Sequence, residues 1–234
     1  MKKNVKQIEL KRERLKGFYS NLKVKEKPVL MNSEMVRAIL AGQKTQTRLI
    51  INPQPVHVDG GYFWPGRNTY KIAWAAEDSA ASQLPGFKVE PPTDWLVENA
   101  CPFGKPGNRL WVRETFAEFP ELGEAPSGIG YKADLDHCGQ VPVGNVLRTW
   151  DKVPAKPSIH MPRWACRILL EITDIKVERI RDISVEDALA EGMNPFESEF
   201  PVRMMFEDLW HETYPGSWGR NDWVWVIEFK RVEA

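Results

Sequence analysis

The chain has few cysteines and no long apolar run. Cys101, Cys138 and Cys166 are an odd number at wide spacing in 234 residues, so a disulfide scaffold is not indicated and a reducing compartment is expected. No stretch of about 18 apolar residues occurs, and the first residues are charged, so the patterns of a membrane span and of a secretion signal are missing. We therefore expect a cytoplasmic protein that does not bind membranes.

Excess charge and cofactor motifs are lacking as well. The formal net charge is zero, so no overall field draws the chain to nucleic acid or to a membrane. Neither a Gly-x-Gly-x-x-Gly nor a Gly-x4-Gly-Lys-Ser/Thr motif occurs, which leaves dinucleotide and P-loop sites without support. No Cys or His pair has the spacing of zinc ligands. The sequence therefore predicts no cofactor and no metal site.

Positive charge is concentrated at the start of the chain. Ten Lys or Arg residues and three Glu residues lie between Lys2 and Lys27. Residues 1–27 are interpreted as a basic arm, either as a solvated tail or as a contact for the phosphates of single-stranded nucleic acid. In the second case the contacts would be made by Lys11, Arg12, Arg14 and Lys16.

The rest of the chain, residues 28–234, predicts an α+β domain. A helix begins at Ser33 and stops at Gly42, and further helices are indicated after Ser184 and over 201–213. Alternating apolar residues predict strands over 44–51, 109–116, 164–177 and 223–232. Two irregular insertions are expected, at about 53–100, with a hairpin in it, and at about 117–157. Few, separated strands with flanking helices favour a small β-barrel over a doubly wound sheet.

Tryptophan is abundant, and its role is open from sequence alone. Ten tryptophans can fill a core, or some of them can form the wall of a pocket for a flat, base-like ligand.

The segment after the first helix is the strongest candidate for a site. Lys44, Gln46 and Arg48 are expected on one side of the strand, and Thr45 and Thr47 on the other. Five consecutive polar residues at the mouth of an apolar barrel could hold a polar ligand or could simply solvate an edge.

Several segments resemble ASCH-domain proteins of the PUA-like superfamily. The opening MVRAILAGQKTQTR (residues 35–48) resembles the family's Gly-x-Lys-Thr-x-Thr-x-Arg-like signature, although Arg48 follows the second Thr directly. PGNRLWVRE (106–114) is similar to its Gly-Asp-x-Leu strand, with Asn108 in place of Asp, and DALAEGM (187–193) is similar to its helix that ends in Glu-Gly. WVWVIEF (223–229) resembles the final strand. SIHMPRWA (158–165) resembles a phage or prophage subgroup.

The resemblance implies an RNA- or nucleoside-binding cleft. One branch of the family is an amidohydrolase that deacetylates N4-acetylcytidine, and its catalytic positions match Lys44, Thr47 and Glu191. Thr47 would attack the acyl carbonyl, Lys44 would act as the base, and Glu191 would protonate the leaving amine, with the oxyanion steadied by Arg48 or by backbone N–H groups near Gly42. The remaining candidate ligand-binding residues are Thr45, Gln46, Arg113, Glu114, His160, Arg163 and Trp164.

Other interpretations stay open at this point. Lys44 and Glu191 could form only a structural salt bridge, and Arg113 and Glu114 could pair with neighbours instead of a ligand. The alternative functions are a non-catalytic nucleic-acid adaptor of phage or prophage origin and a ribonuclease that uses the same groove. A protein-binding accessory role for the insertions is a further option.

Overall fold

A computed structural model describes residues 24–58, 61–63, 71–73, 101–123, 125, 127–195 and 200–232. In this part of the chain, twelve strands are formed: β1 Glu26–Leu30, β2 Gln46–Ile50, β3 Val56–Val58, β4 Gly61–Phe63, β5 Lys71–Ala73, β6 Arg109–Arg113, β7 Phe116–Phe119, β8 Gly128–Tyr131, β9 Gln140–Val143, β10 Val146–Thr149, β11 Leu169–Arg179 and β12 Trp223–Val232. The four α-helices described are α1 Ser33–Leu40, α2 Val185–Ala190, α3 Val202–Thr213 and α4 Ser217–Arg220. The protein is therefore a mixed α+β structure, as expected.

A five-stranded sheet carries the fold, in the order β1-β6-β11-β12-β2. β1 runs parallel to β6, and the other neighbouring pairs are antiparallel. Between the two edge strands, β1 and β2, no pairing occurs in the described residues, so a closed barrel is not detected. The barrel remains a prediction.

The last strand, β12, is buried on both faces because its two faces join two different clusters. Trp223, Trp225, Ile227 and Phe229 pack in the main core with α1 and the other sheet strands. Val224 and Val226 pack in a second core with the helices after β11, which contribute Ala188, Phe206, Trp210 and Trp218. The predicted bounds of this strand, 223–232, are confirmed.

The first helix ends as predicted but is capped one residue earlier. Asn32, and not Ser33, accepts a hydrogen bond from the backbone N–H of Met35 through its side chain. Gly42 adopts a φ of 73°, the left-handed conformation that suits a residue without a Cβ. This turn brings the chain from α1 directly into β2.

The two insertions contain more regular structure than expected. The predicted hairpin in the first one is confirmed by the pairing of β4 with β5, which β3 extends to three strands. In the second one, β7 pairs with β8 and β9 with β10, so the expectation of an irregular segment over 117–157 is wrong. Their strands of four residues bury alternate side chains such as Val141 and Val143, but such short runs give little periodic signal.

Strand bounds at the start of the domain and before β11 also differ from the predicted ones. β1 begins at Glu26, so the last two residues of the predicted arm belong to the sheet. β11 starts at Leu169 and not at 164, because Arg163–Ala165 form a turn of 3-10 helix. None of the helices within the described ranges is long and apolar enough to cross a bilayer.

Candidate functional site

The site is centred on a buried ion pair between Lys44 and Glu191. Lys44 Nζ donates to Glu191 Oε2 at 2.6 Å and to the backbone carbonyl of Glu191 at 2.8 Å. The Lys44 side chain has no exposed surface, and that of Glu191 is 4% exposed. Both partners are therefore desolvated, and each supplies the charge that the other requires.

Helix α2 places Glu191 against Lys44. Ser184 accepts a hydrogen bond from the N–H of Asp187, whose carboxylate in turn accepts one from the N–H of Ser184 and completes a capping box. The helix has six residues, and Glu191 is its C-cap. The chain then turns at Gly192, which has a φ of 95°. A Cβ at Gly192 would lie 3.2 Å from Lys44 Cβ, so the glycine allows the close approach of the two segments.

Arg48 extends the pair into a network. Its Nη2 lies 3.1 Å from both Glu178 Oε2 and Asp187 Oδ2, and its Nη1 lies 3.4 Å from Glu191 Oε1. Nη1 also donates to Gln46 Oε1 at 2.8 Å. Lys44 and Arg48 are thus two cations that face three carboxylates, and the predicted orientation of Lys44, Gln46 and Arg48 toward one side agrees with these contacts.

Burial and charge act against each other on Asp187. Desolvation works to raise the pKa of this carboxyl, but the Arg48 guanidinium and the hydrogen bonds from Ser184 and Gln46 together hold the pKa below its usual range. The carboxylate form is therefore the one that the folded state favours.

A cavity of about 620 Å³ lies beside this network. Thr47, Arg48 and Glu191 are part of its lining, whereas Lys44 lies behind Glu191. Both edge strands of the sheet contribute residues, for example Leu30 from β1 and Leu49 from β2, so the sheet curls around the cavity. The volume falls in the usual range of small-molecule sites, roughly 300–1,000 Å³.

One wall of the cavity is aromatic and consists of Phe206 and Trp210 of α3 and Tyr214 directly after it. Phe103 also lines the cavity, but it packs against the main core. The Trp210 and Tyr214 ring centroids lie 4.6 Å apart, and burial raises the pKa of Tyr214, so its hydroxyl stays protonated at neutral pH. This wall is suited to a planar ligand.

Arg113 also lines the cavity, but Glu114, the next residue, points into a separate network. Glu114 is 1% exposed and receives two hydrogen bonds from Arg167, at 2.9 and 3.0 Å, while Arg167 also binds Asp134. The Arg167 guanidinium lies 3.9 Å from the centroid of the Tyr131 ring. Burial raises the pKa of Glu114, against the opposing effect of Arg167.

The other candidate residues lie on the surface. Thr45 and His160 are exposed, and Arg163 Nε donates to Glu26 at 2.8 Å. Trp164 is 68% exposed, so it fills no core. The candidate nucleic-acid contacts Lys11, Arg12, Arg14 and Lys16 lie outside the described residues.

Comparisons with known proteins leave the family open. No protein-family model matches the chain, and no curated protein matches it. A solved structure of protein EF3133 from Enterococcus faecalis V583, described as DUF984, aligns over 98% of this chain and 94% of that chain. The sequence identity is 11% and the TM-score 0.34, values too low to carry a conclusion about fold or function.

The sequence did not predict the roles of three site residues. Asp187 was recognised only as a helix cap, and Glu178 and Tyr214 were not singled out. The capping signal at Ser184 predicts where Asp187 lies in its helix, but nothing local indicates that its carboxylate also meets Arg48. In the described part of the chain, no three His, Cys, Asp or Glu side chains are grouped as potential metal ligands.

Proposed function

We propose that the chain binds a cytidine-type nucleoside in this cavity and hydrolyses an acyl group from its N4 atom, as an ASCH-domain protein with a PUA-like barrel would. The observation that carries the proposal is that Thr47, Arg48 and Glu191 all line this cavity, with Lys44 bonded to Glu191 behind it. These are the residues that the resemblance to the amidohydrolase branch indicates.

The aromatic wall supports a planar base as the ligand. Stacking of a base on an aromatic side chain contributes roughly 1–3 kcal/mol and requires no particular hydrogen-bond pattern. On the side of the cavity formed by α3, Trp210 is only 4% exposed, and Tyr214 is the partly exposed ring that a base would contact. A base held there would leave its exocyclic amide to the polar wall.

In the proposed reaction, Thr47 Oγ1 attacks the acyl carbon. The new C–O bond forms, the C–N4 bond breaks, and the hydroxyl proton passes through the Glu191 carboxylate to N4 of the departing cytidine. Water then hydrolyses the acyl-threonine ester, which releases the carboxylic acid and restores the hydroxyl. Lys44 is a positioning residue in this scheme, because it holds Glu191 and lies behind the cavity wall.

Arg48 is the proposed donor to the carbonyl oxygen in the transition state. Its Nε is buried and has no hydrogen-bond partner among the described residues, although its two other nitrogens are engaged. Because Nε has no accessible surface, it can donate to the developing oxyanion only after the Arg48 side chain shifts toward the cavity on ligand binding.

The test is turnover of N4-acetylcytidine by the purified protein, with cytidine and acetate measured as products. Thr47→Val keeps the shape of the side chain but removes the hydroxyl, and we expect a loss of roughly 10²–10⁴-fold. Thr47→Ser should retain most of the activity. Thr45→Val is the matched control, because Thr45 lies two residues before Thr47 and is exposed. This variant should leave the rate unchanged.

A failure of the proposal would be easy to recognise. If the wild-type protein releases no cytidine, or if Thr47→Val and Thr45→Val behave alike, the amidohydrolase assignment is wrong. Lys44→Ala, measured in parallel with its unfolding midpoint, would show whether a loss of activity reflects chemistry or only stability.

A second candidate function, a nucleic-acid adaptor, is supported by Trp164. This side chain is 68% exposed, and it stands next to the basic Arg163 and near His160, which are also exposed. An exposed indole suits the stacking of a single-stranded base. Binding of labelled RNA that weakens with salt and weakens further in Trp164→Ala, but not in the buried-site variant Thr47→Val, would favour this function.

A further inference from the structure

Arg113 carries a charge that no carboxylate compensates in the described structure. It ends β6 and lines the cavity, where Nη2 donates to the backbone carbonyl of Ile159 and the guanidinium lies 5.4 Å from the centroid of the Trp111 ring. Its Nε is buried without a hydrogen-bond partner among the described residues. A carbonyl and an aromatic ring leave the cation without an anion of its own.

The charge of the other arginine in the cavity lining, Arg48, is compensated. Arg48 lies within 3.4 Å of the carboxylates of Glu178, Asp187 and Glu191, so its charge is fully compensated. With Lys44 included, two cations face three carboxylates at this wall. The cavity is therefore polarised, with negative charge in excess near Glu191 and positive charge at Arg113.

The two arginines lie on opposite sides of the gap in the sheet. Arg113 pairs with Leu30 of the edge strand β1, whereas Arg48 belongs to the other edge strand, β2. Two hydroxyl residues, Thr115 and Ser158, line the cavity together with Arg113. Guanidinium and hydroxyl groups are typical ligands of phosphate oxygens.

We propose that Arg113 binds the 5′-phosphate of the ligand, so that the protein acts on a cytidine mononucleotide in preference to the free nucleoside. The inference rests on the proposed function and names the second group that the same cavity recognises. The polarity of the cavity orients the molecule, with the phosphate at Arg113 and the N4 amide at Glu191. A single uncompensated cation in the described lining matches one phosphate, whereas an RNA strand requires several cations along its backbone.

The experiment compares cytidine 5′-monophosphate with cytidine by calorimetry, on wild-type protein and on Arg113→Gln. We expect the monophosphate to bind about 10-fold to 100-fold more tightly than cytidine, the range for one charge-assisted contact. In Arg113→Gln this preference should disappear, because the affinity for the monophosphate should fall to that for cytidine. Arg113→Lys keeps the charge and should restore part of the preference.

Arg109→Gln is the matched control for the loss of charge. Arg109 lies on the same strand as Arg113 but outside the cavity lining, so its variant should keep the full preference. Unfolding midpoints of all variants, compared with that of the wild type, show whether the fold is retained.

The outcomes separate this inference from the function on which it rests. Equal binding of cytidine and its monophosphate overturns the phosphate site but leaves nucleoside binding intact, and a preference that survives in Arg113→Gln overturns the role of Arg113. Failure of both ligands to bind overturns the nucleoside function and this inference with it. If a short cytidine-containing RNA binds at least about 10-fold more tightly than the monophosphate, the ligand is RNA and the mononucleotide assignment is wrong.

Discussion

Lys44 and Glu191 are 147 positions apart in the chain, yet Lys44 Nζ lies 2.6 Å from Glu191 Oε2 in an almost fully buried ion pair. The pair joins the turn before β2 to the C-terminal end of α2 and forms the back of the cavity wall. Because both groups are desolvated, the pair is sensitive to the loss of either partner and much less sensitive to the loss of both.

Removal of one partner of this pair should therefore be costly. We expect Glu191→Met to lower the free energy of unfolding by about 3–5 kcal/mol, since it leaves the buried Lys44 unpaired. Lys44→Met should cost less, since Glu191 keeps its contact with Arg48. The double variant should recover a substantial part of this loss. Urea unfolding of the four proteins measures the coupling.

The exposed pair Lys156–Glu118 is the control for this cycle. Its nitrogen–oxygen distance is also 2.6 Å, but the side chains are 45% and 48% exposed. Its removal should cost less than about 1 kcal/mol. Equal costs for the two pairs would contradict the assignment of a desolvated pair at the site.

Gly192 should be intolerant of a side chain for two separate reasons. Its φ of 95° disfavours any residue with a Cβ, and that Cβ would lie 2.9 Å from Ala38 Cβ and 3.2 Å from Lys44 Cβ. We expect Gly192→Ala to be more destabilising than Gly42→Ala by at least about 1 kcal/mol, because overpacking adds to the backbone cost.

Gly42→Ala isolates the backbone cost in this comparison. Gly42 has a φ of 73°, but no atom would lie within 4 Å of its added Cβ. Thermal unfolding of the two variants under the same conditions gives the difference. A Gly192→Ala variant as stable as Gly42→Ala would show that Ala38 and Lys44 are not packed against this turn.

The stability of the protein should fall in acid partly through Asp187. The pKa of this carboxyl is lowered by folding, so its contribution is fully present above the ordinary value of 3.8 and is lost as the pH falls through the folded-state pKa. We expect the stability difference between wild type and Asp187→Asn to be largest near neutral pH and to shrink below about pH 4.

Denaturant unfolding at several pH values measures this difference. Asp151→Asn, a change at an exposed carboxylate outside the site, is the control for the loss of a carboxylate elsewhere on the surface. If the stability difference between wild type and Asp187→Asn stays constant from neutral pH to below the ordinary pKa, Arg48 does not stabilise the charged form of Asp187.

The stability loss caused by Arg167→Met should also become smaller in acid, but for a different reason. Without Arg167, Glu114 is a buried carboxylate with no cation in contact, and we expect a loss of about 3–5 kcal/mol at neutral pH. Burial raises the pKa of Glu114 even with Arg167 present, so protonation in acid should remove part of this penalty. A penalty that does not decrease in acid would contradict this role.

Local patterns predicted the elements that carry the site. The helix stop at Gly42, the capping box at Ser184 and the alternating residues of β12 all depend on a few neighbouring residues, and each agrees with the structure. The short strands β7 to β10 were missed, because four residues are too few for a periodic pattern to separate a strand from a loop.

The amino-acid sequence by itself determined the α+β class, the position of most helices and strands, and the polar segment from Lys44 to Arg48, because backbone conformation and burial pattern depend on near neighbours. Only the tertiary structure decided that Lys44 meets Glu191, that Arg48 is shared by three carboxylates, and that Arg113 meets none in the described part of the chain. Those contacts depend on how β2, α2 and β6 pack, and packing joins residues whose distance in the chain says nothing about their distance in space.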